Sequence, residues 1–254
     1  MKPPTYIPPN KSLVLDQVTK RFGAILAVDH VCLVVEDREF LAIVGPTGCG
    51  KTTLLRLVAG LEKMDEGHIY IHGRCVDREK PAHRGVRMVF QDNALWPHMR
   101  VFKKNVYSNL SFSMKIRGRS PGNIEERVGT IAGRICIEKK LYPRKPAELS
   151  AGQKQMVGIG RAMTIKPLIL LLDEPLSNVD PQRRLALRQQ LKDYHVETGA
   201  TTLYVTHNLP EAFSLADRIA VMEEGRIIQI DSPSRIRTHP VNQFVRDFLR
   251  CFEM

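Results

Sequence analysis

Apolar positions along the chain fall into two rhythms, and the change from one to the other predicts its organisation. Residues 13–44 read as short strands, with "EFLAIVG" (39–45) the clearest. "HIYI" (68–71) and "RCV" (74–76) are strand-like pieces joined by His72-Gly73, the composition of a tight hairpin turn. A helical zone is expected after Gln91, where Ile124, Val128, Ile131 and Ile135 recur on one helical face, although Gly129 and Gly133 weaken it. After Pro167 the pattern becomes strand, helix, strand. "LILLLD" (168–173) is continuously apolar, as a parallel strand buried on both faces should be. Asp180-Pro181 reads as an N-cap followed by proline at the first helical position, and Leu187, Leu191 and Tyr194 then keep helical spacing. "TTLYVTH" (201–207) is the next strand, and "RIAVMEEGRIIQID" (218–231) a hairpin turning at Glu224-Gly225. This alternation predicts an α/β fold, its mostly parallel sheet covered by helices, with a helical insertion over about 92–160.

Length and composition change this picture little. A chain of 254 residues accommodates one large domain with a subdomain. The opening "MKPPTYIPPN" has four prolines and no apolar segment, so residues 1–12 read as a loose tail rather than a signal peptide. No apolar run approaches the ~20 residues that span a bilayer, which predicts a cytosolic protein unless a partner holds it at a membrane. Cys32, Cys49, Cys75, Cys136 and Cys251 are scattered, odd in number and without metal spacing, and read as reduced thiols. The net charge of +11 is partly local. No acidic residue falls between Asp92 and Glu125, a window holding Arg100, Lys103, Lys104, Lys115, Arg117 and Arg119. Such a run is either a solvated face or a surface that sits near anionic headgroups.

The chemistry begins at "GPTGCGKTT" (45–53), which fits the phosphate-loop pattern directly after a strand and before the apolar helix "LLRLVAGL" (54–61). The loop residues Gly45, Pro46, Thr47, Gly48, Cys49 and Gly50 lead into Lys51, Thr52 and Thr53. Backbone N–H groups of Gly48, Cys49 and Gly50 would wrap phosphate oxygens, Lys51 would reach the β- and γ-phosphates, and Thr52 would ligate Mg²⁺. Asp173 ends the apolar strand, where open parallel sheets bind ligands, and its carboxylate can hold Mg²⁺. Glu174 follows and can accept a proton from an attacking water. His207 ends a strand of the same predicted sheet, and Gln91 closes "MVFQ", from which its amide would reach the metal or the water. A second anion site is suggested by "PAELSAGQKQMVGIGRA" (146–162). There Ser150 and Gln153 form a capping-box pattern, and Gly152 sits in the first turn, where it permits close approach to the backbone.

Together these motifs resemble the ATP-binding subunits of ABC transporters, over about residues 13–245. "LSAGQ" (149–153) is similar to that family's signature LSGGQ, "LILLLDEP" (168–175) to its acidic magnesium motif and "SNVD" (177–180) to its D-loop. "VTHN" (205–208) resembles its switch histidine and "VFQD" (89–92) its Q-loop, while Phe22 matches the aromatic that stacks on adenine. The fold this implies is a P-loop NTPase with an N-terminal antiparallel β subdomain and a helical subdomain. Residues 13–254 would form a single ATP-binding domain without a C-terminal regulatory domain. The resemblance implies ATP and Mg²⁺ as cofactors and two such subunits facing head to tail. Ser150, Gly152 and Gln153 would then contact the nucleotide held by the partner's loop. It implies transmembrane permease subunits, an extracytoplasmic solute-binding protein and a place at the cytoplasmic face of the membrane, with no nucleic acid. "NALWPHMRVFKKNV" (93–106) looks like the segment of sugar, polyamine and iron importers that receives a permease helix; Trp96 and Met99 would line that groove or pack internally. Three positions depart from the family pattern: Ala151 for glycine, Met156 for a common arginine and Asn208 for a common aspartate. The alternative reading is a soluble ABC ATPase acting on nucleic acid or ribosomes, suggested by the charge.

Overall fold

The computed structural model describes residues 11–92, 94–105 and 108–250. Its strands are β1 (Lys11–Phe22), β2 (Ile25–Glu36), β3 (Phe40–Val44), β4 (Glu66–Ile71), β5 (Arg74–Cys75), β6 (Val86–Val89), β7 (Ile169–Asp173), β8 (Thr201–Val205), β9 (Arg218–Glu223) and β10 (Arg226–Asp231). The helices are α1 (Lys51–Ala59), α2 (Phe112–Ile116), α3 (Pro121–Arg134), α4 (Ala151–Met163), α5 (Pro181–Thr198), α6 (Leu209–Leu215), α7 (Pro233–Thr238) and α8 (Gln243–Arg250). The chain divides into two units. One holds the residues up to Arg87, Pro167–Asp173 and the chain from His195 onward; the other holds Met88–Lys166 and Glu174–Tyr194.

The first unit carries both sheets apart from the last two residues of β6. β2, β1, β4 and β5 form an antiparallel sheet in that order, and β10, β9, β3, β8, β7 and β6 a second one. The opening strands are long rather than short: β1 and β2 run twelve residues each, and β1 starts at Lys11, inside the expected tail. They stay paired because bulges absorb the breaks in alternation. Gln17 takes positive φ (51°) where the register shifts between Leu15↔Leu33 and Val18↔Val31, and His30 (46°) where it shifts again before Lys20↔Val28. In the second sheet β3 pairs in parallel with β8 and β9, and β7 with β8. Every residue of β3, β7 and β8 is buried, which accounts for the apolar sequence of β3 and of β7 up to Asp173; β8 buries two threonines, Thr201 and Thr202, at its start. Both expected hairpins form, with positive φ at His72 and Gly73 and at Glu224 and Gly225. Behind β3 and β9, Leu209 and Ala212 of α6, Ile236 of α7 and Val245 and Leu249 of α8 close a core with Ala42, Val44, Ile219 and Val221.

In the second unit the predicted face of α3 is buried at Ile124, Val128 and Ile131, and Ile135 follows at the helix end. A Cβ on Gly160 of α4 would lie 2.5 Å from Ile135 Cδ1, so glycine there lets the two helices pack closely. The Arg127 guanidinium donates to the Met163 and Thr164 carbonyls at 2.9 and 3.3 Å, placing positive charge at the negative end of α4. The region 92–160 is not all helical. Described residues between 94 and 111 form turns, because their backbone groups bond outside the i→i−4 pattern. Val101 N donates to Arg144 O (2.8 Å) and Phe102 N to Tyr142 O (3.0 Å). Buried Asn109 satisfies this segment with its amide, which donates to the carbonyls of Trp96, Met99 and Arg100. α4 also runs past 160, to Met163.

Candidate nucleotide site

β3 delivers its last residue, Val44, into the loop 45–50, and α1 begins at Lys51. The turn depends on glycine. Gly48 and Gly50 have φ of 85° and 103°, and a Cβ on Gly50 would fall 2.1 Å from the Ala27 carbonyl. The hairpin turn between β9 and β10 pins the loop, since Gly225 N donates to Cys49 O at 3.0 Å. Gly50 caps α1 without a side-chain hydrogen bond, so no side-chain cap competes for the first-turn amides of a helix that starts at the loop. Cys49 N–H, expected to face phosphate, donates to Pro46 O at 3.3 Å, and its thiol is buried. Lys51 is buried, its ammonium donating to Gly45 O (2.8 Å) and Pro46 O (2.6 Å) within the loop's curve. Pro46, Thr47 and Gly48 are exposed along its rim, and Thr52 and Thr53 are half-buried.

Asp173 closes β7 and is buried, and the Thr52 hydroxyl donates to its Oδ1 at 2.9 Å. A threonine hydroxyl and a carboxylate side by side at the loop are hard oxygen donors of the kind Mg²⁺ takes. β8 ends at Val205, and exposed His207 stands two residues beyond. Its placement rests on Glu211, buried in α6, which accepts from Tyr204 Oη at 2.7 Å and Thr206 Oγ1 at 3.0 Å. Asn208 caps α6 by accepting from Glu211 N at 3.1 Å, a role an asparagine fills as well as an aspartate. Phe22 ends β1 with 45% exposure, its ring 5.1 Å from Lys20 Nζ.

The remaining candidates lie in the second unit. Ser150 Oγ accepts from Gln153 N (3.3 Å) and Gln153 Oε1 from Ser150 N (3.0 Å), so the capping box starts α4 as expected. The close approach that Gly152 permits is, within the chain, that of the Asn178 carbonyl: a Cβ would sit 2.9 Å from it. Glu174 takes φ 45°, a left-handed conformation uncommon for glutamate. Three donors hold its carbonyl there: Gln155 Nε2 (2.9 Å), Ser177 Oγ (3.0 Å) and Ser177 N (3.2 Å). Its side chain meets Gln91 Nε2 at 3.4 Å. Gln155 also accepts from Asn178 N at 2.9 Å and is fully buried, so it braces both ends of the turn after Glu174. Sequence reading missed Gln155 and Glu211; the only signal was a polar residue on the apolar face of a helix. Met156 is buried, and Ala151 is exposed. Half-buried Trp96 packs on Phe112 (4.3 Å between ring centroids) and under the Arg161 guanidinium (4.7 Å). Asn93 and Val106 of its segment lie outside the described residues, as does Cys251.

A glycine-bounded loop at the carboxyl end of a parallel strand, an uncapped helix behind it and a neighbouring strand-end aspartate define the class of P-loop nucleotide-binding α/β proteins. Comparison with known proteins narrows the class. The chain belongs to the ABC transporter family, whose sequence pattern matches residues 28–177. It is 46% identical over 238 residues to the osmoprotective compounds uptake ATP-binding protein GgtA of Synechocystis sp., covering 94% of this chain and 64% of that one. It is 44% identical over 232 residues to the sn-glycerol-3-phosphate import ATP-binding protein UgpC 1 of Rhizobium johnstonii, covering 91% and 61%. It thus spans about three-fifths of the length of these curated relatives. Among solved structures it is similar to the ATP-binding cassette MJ0796, dimeric in a post-hydrolysis state bound to ADP and Pi. That likeness has a TM-score of 0.78 at 30% identity, over 87% of this chain and 98% of that one.

Proposed function

We propose that this chain is the ATP-hydrolysing subunit of a solute importer, working as a head-to-tail pair beneath a membrane-embedded permease. The observation that carries the reading is the contact between Thr52 and Asp173, which joins the phosphate loop to the strand-end acid at 2.9 Å. α1 and the loop would hold the triphosphate, with the Lys51 ammonium turning from the carbonyls of Gly45 and Pro46 to the β- and γ-phosphates. Phe22 would stack on the base. Thr52, Asp173 and Gln91 would hold Mg²⁺, which supplies charge neutralisation on the phosphates when bound. Glu174, fixed by its bonded carbonyl, would take the proton of the attacking water, and His207 would orient the γ-phosphate. Ser150, Gly152 and Gln153 would meet the nucleotide of the facing subunit, a second copy or a related chain. The start of α4 suits that part because its capping box leaves the remaining first-turn amides for an anion.

Uptake as the direction rests on the two relatives, both named for it. Such a subunit would lie on the cytoplasmic face of the membrane, held by permease subunits that receive solute from an extracytoplasmic binding protein. No described helix is long and apolar enough to cross a membrane itself. The relatives give no support to a nucleic-acid or ribosomal ATPase. The test is a tagged Glu174→Gln form trapped with ATP and Mg²⁺ and purified from detergent-solubilised membranes. Hydrolysis should fall by about 10²-fold or more with ATP still bound, and mass spectrometry should find a polytopic membrane protein in stoichiometric amount. Recovery with only nucleic acid or ribosomes would overturn the reading.

A further inference from the structure

The antiparallel sheet carries a second set of donor atoms outside the nucleotide motifs. The hairpin at His72-Gly73 sets Tyr70 opposite Cys75, and strand alternation puts His68 on the same face as Tyr70. Asp77 follows two residues past Cys75. One donor atom each from His68, Cys75 and Asp77 thus comes within 4.8 Å of the others. His68 Nδ1 lies 2.8 Å from Asp77 Oδ2, and the other oxygen of Asp77 accepts the Ile69 N–H at 2.8 Å, which fixes the carboxylate. Cys75 is exposed and the side chains of His68 and Asp77 are partly so, leaving the cluster open to solvent ions.

A buried phenol beside the cluster is an independent pointer. Tyr70 is 4% exposed, and its hydroxyl is buried without a hydrogen-bond partner. Its ring lies 6.2 Å from that of His68, and Cys75 pairs with it across the hairpin. A buried O–H left unpaired costs about 1–3 kcal/mol. An ion at the cluster would bring a bound water that can donate to the phenol oxygen.

We propose that His68, Cys75 and Asp77 form a site for a divalent transition metal ion, with Zn²⁺ the best fit. Imidazole nitrogen, thiolate and carboxylate are all zinc ligands, and three protein ligands leave a fourth position for water. The thiolate disfavours Mg²⁺, which separates this site chemically from the nucleotide. Bonds of about 2.0–2.3 Å at tetrahedral angles put donors about 3.5 Å apart. Donors that lie within 4.8 Å of one another need close by roughly 1 Å at most, and the His68–Asp77 pair at 2.8 Å must open by less than that. Exposed Cys75 and the His68 ring can make these side-chain adjustments. Binding releases the Cys75 proton, and the ion replaces the contact between His68 and Asp77. Asp16 and Glu79 add negative charge nearby. Of the two neighbouring cations, Arg74 is occupied by Glu79 at 3.1 Å, and buried Arg84, which also faces Asp77 and Cys75, is held by the carbonyls of Leu57, Val58 and Glu79. The bound ion would tie β5 and the residues after it to β4.

The test uses the full chain, reduced, stripped of metal and free of nucleotide. Co²⁺ serves as the spectroscopic probe, and Zn²⁺ is titrated by calorimetry against a chromophoric chelator. One equivalent of Co²⁺ should give a thiolate-to-metal charge-transfer band that Zn²⁺ bleaches, and Zn²⁺ should raise Tm. Cys75→Ser should lose the band and the Tm shift and bind Zn²⁺ weaker by on the order of ten-fold or more, with His68→Gln weakened similarly. Cys32→Ser, at an exposed thiol on β2, should behave as the parent. Absence of the band, its persistence in Cys75→Ser, or its loss in Cys32→Ser would each overturn the proposal. Because Cys75 is exposed, its substitution leaves the fold intact and decides the matter.

Discussion

Replacing Gln155 by leucine separates the bracing of the hydrolytic turn from nucleotide binding. The side chain is fully buried and makes two hydrogen bonds of 2.9 Å, one given to Glu174 O and one taken from Asn178 N. Each neutral bond contributes about 1 kcal/mol net, and an unpaired Asn178 N–H adds up to about 1 more, so Gln155→Leu should destabilise by roughly 2–3 kcal/mol. The larger consequence is local. Glu174 holds a left-handed conformation that costs about 1–2 kcal/mol for a residue with a Cβ, and the substitution removes one of the three donors on its carbonyl. A shift of about 1.4–2 kcal/mol towards the relaxed conformer would lower kcat for ATP about 10- to 30-fold. The phosphate loop is untouched, so affinity for a fluorescent ATP analogue should stay within about two-fold, well under the ten-fold step of 1.4 kcal/mol. Urea unfolding, phosphate release and analogue binding measure the three quantities. An unchanged kcat, or a loss of affinity parallel to the loss of kcat, would refute the bracing argument.

Other expectations follow from single contacts. Gly50→Ala puts a Cβ 2.1 Å from the Ala27 carbonyl at φ 103°, and should cost roughly 2–5 kcal/mol in strain and overpacking, with nucleotide binding lost; equilibrium unfolding and analogue titration check both. Glu211→Leu removes the single carboxylate oxygen that accepts from both the Tyr204 and the Thr206 hydroxyls. It should lower stability by about 1–3 kcal/mol, and kcat should fall with it because the segment before His207 loosens. Asp65 accepts from Arg21 N at 2.6 Å and from Lys20, and the bond from Arg21 foremost holds its carboxyl below the ordinary value of 3.8. A depressed folded-state value stabilises above the unfolded pKa and is lost as pH falls through the folded one. Asp65→Asn should therefore be less stable than the parent at neutral pH, and the difference should shrink below about pH 4 in acid titrations of unfolding.

Much of the fold was legible because local rules and tertiary demands agree. β7 lies inside the sheet between β6 and β8, so burial on both faces left an apolar run from Ile169 to Leu172. The two hairpin turns need positive φ at two successive positions, and His72-Gly73 and Glu224-Gly225 announce it. α5 begins at Pro181 because Asp180 accepts from Arg183 N at 3.0 Å. The segment 94–111 misled because its structure comes from distant bonds, to Arg144 and Tyr142 and through Asn109, which no periodicity reveals. The lengths of β1 and β2 were hidden by bulges at Gln17 and His30 that break alternation without ending the pairing.

Sequence alone determined the phosphate loop, the capping box of α4 and the order of motifs, because these are contiguous stretches whose backbone geometry demands particular residues. The glycine spacing of the phosphate loop, and Ser150 and Gln153 three apart, can be read without knowing what packs around them. Tertiary structure decided which residues support those motifs. Gln155 reaches Glu174 across nineteen positions of the chain, and Thr52 reaches Asp173 across 121. The meeting of His68, Cys75 and Asp77 likewise depends on the register of one hairpin, which spacing along the chain does not encode. Side chains that act through space are placed by packing, and packing is a property of the whole sheet rather than of any window of sequence.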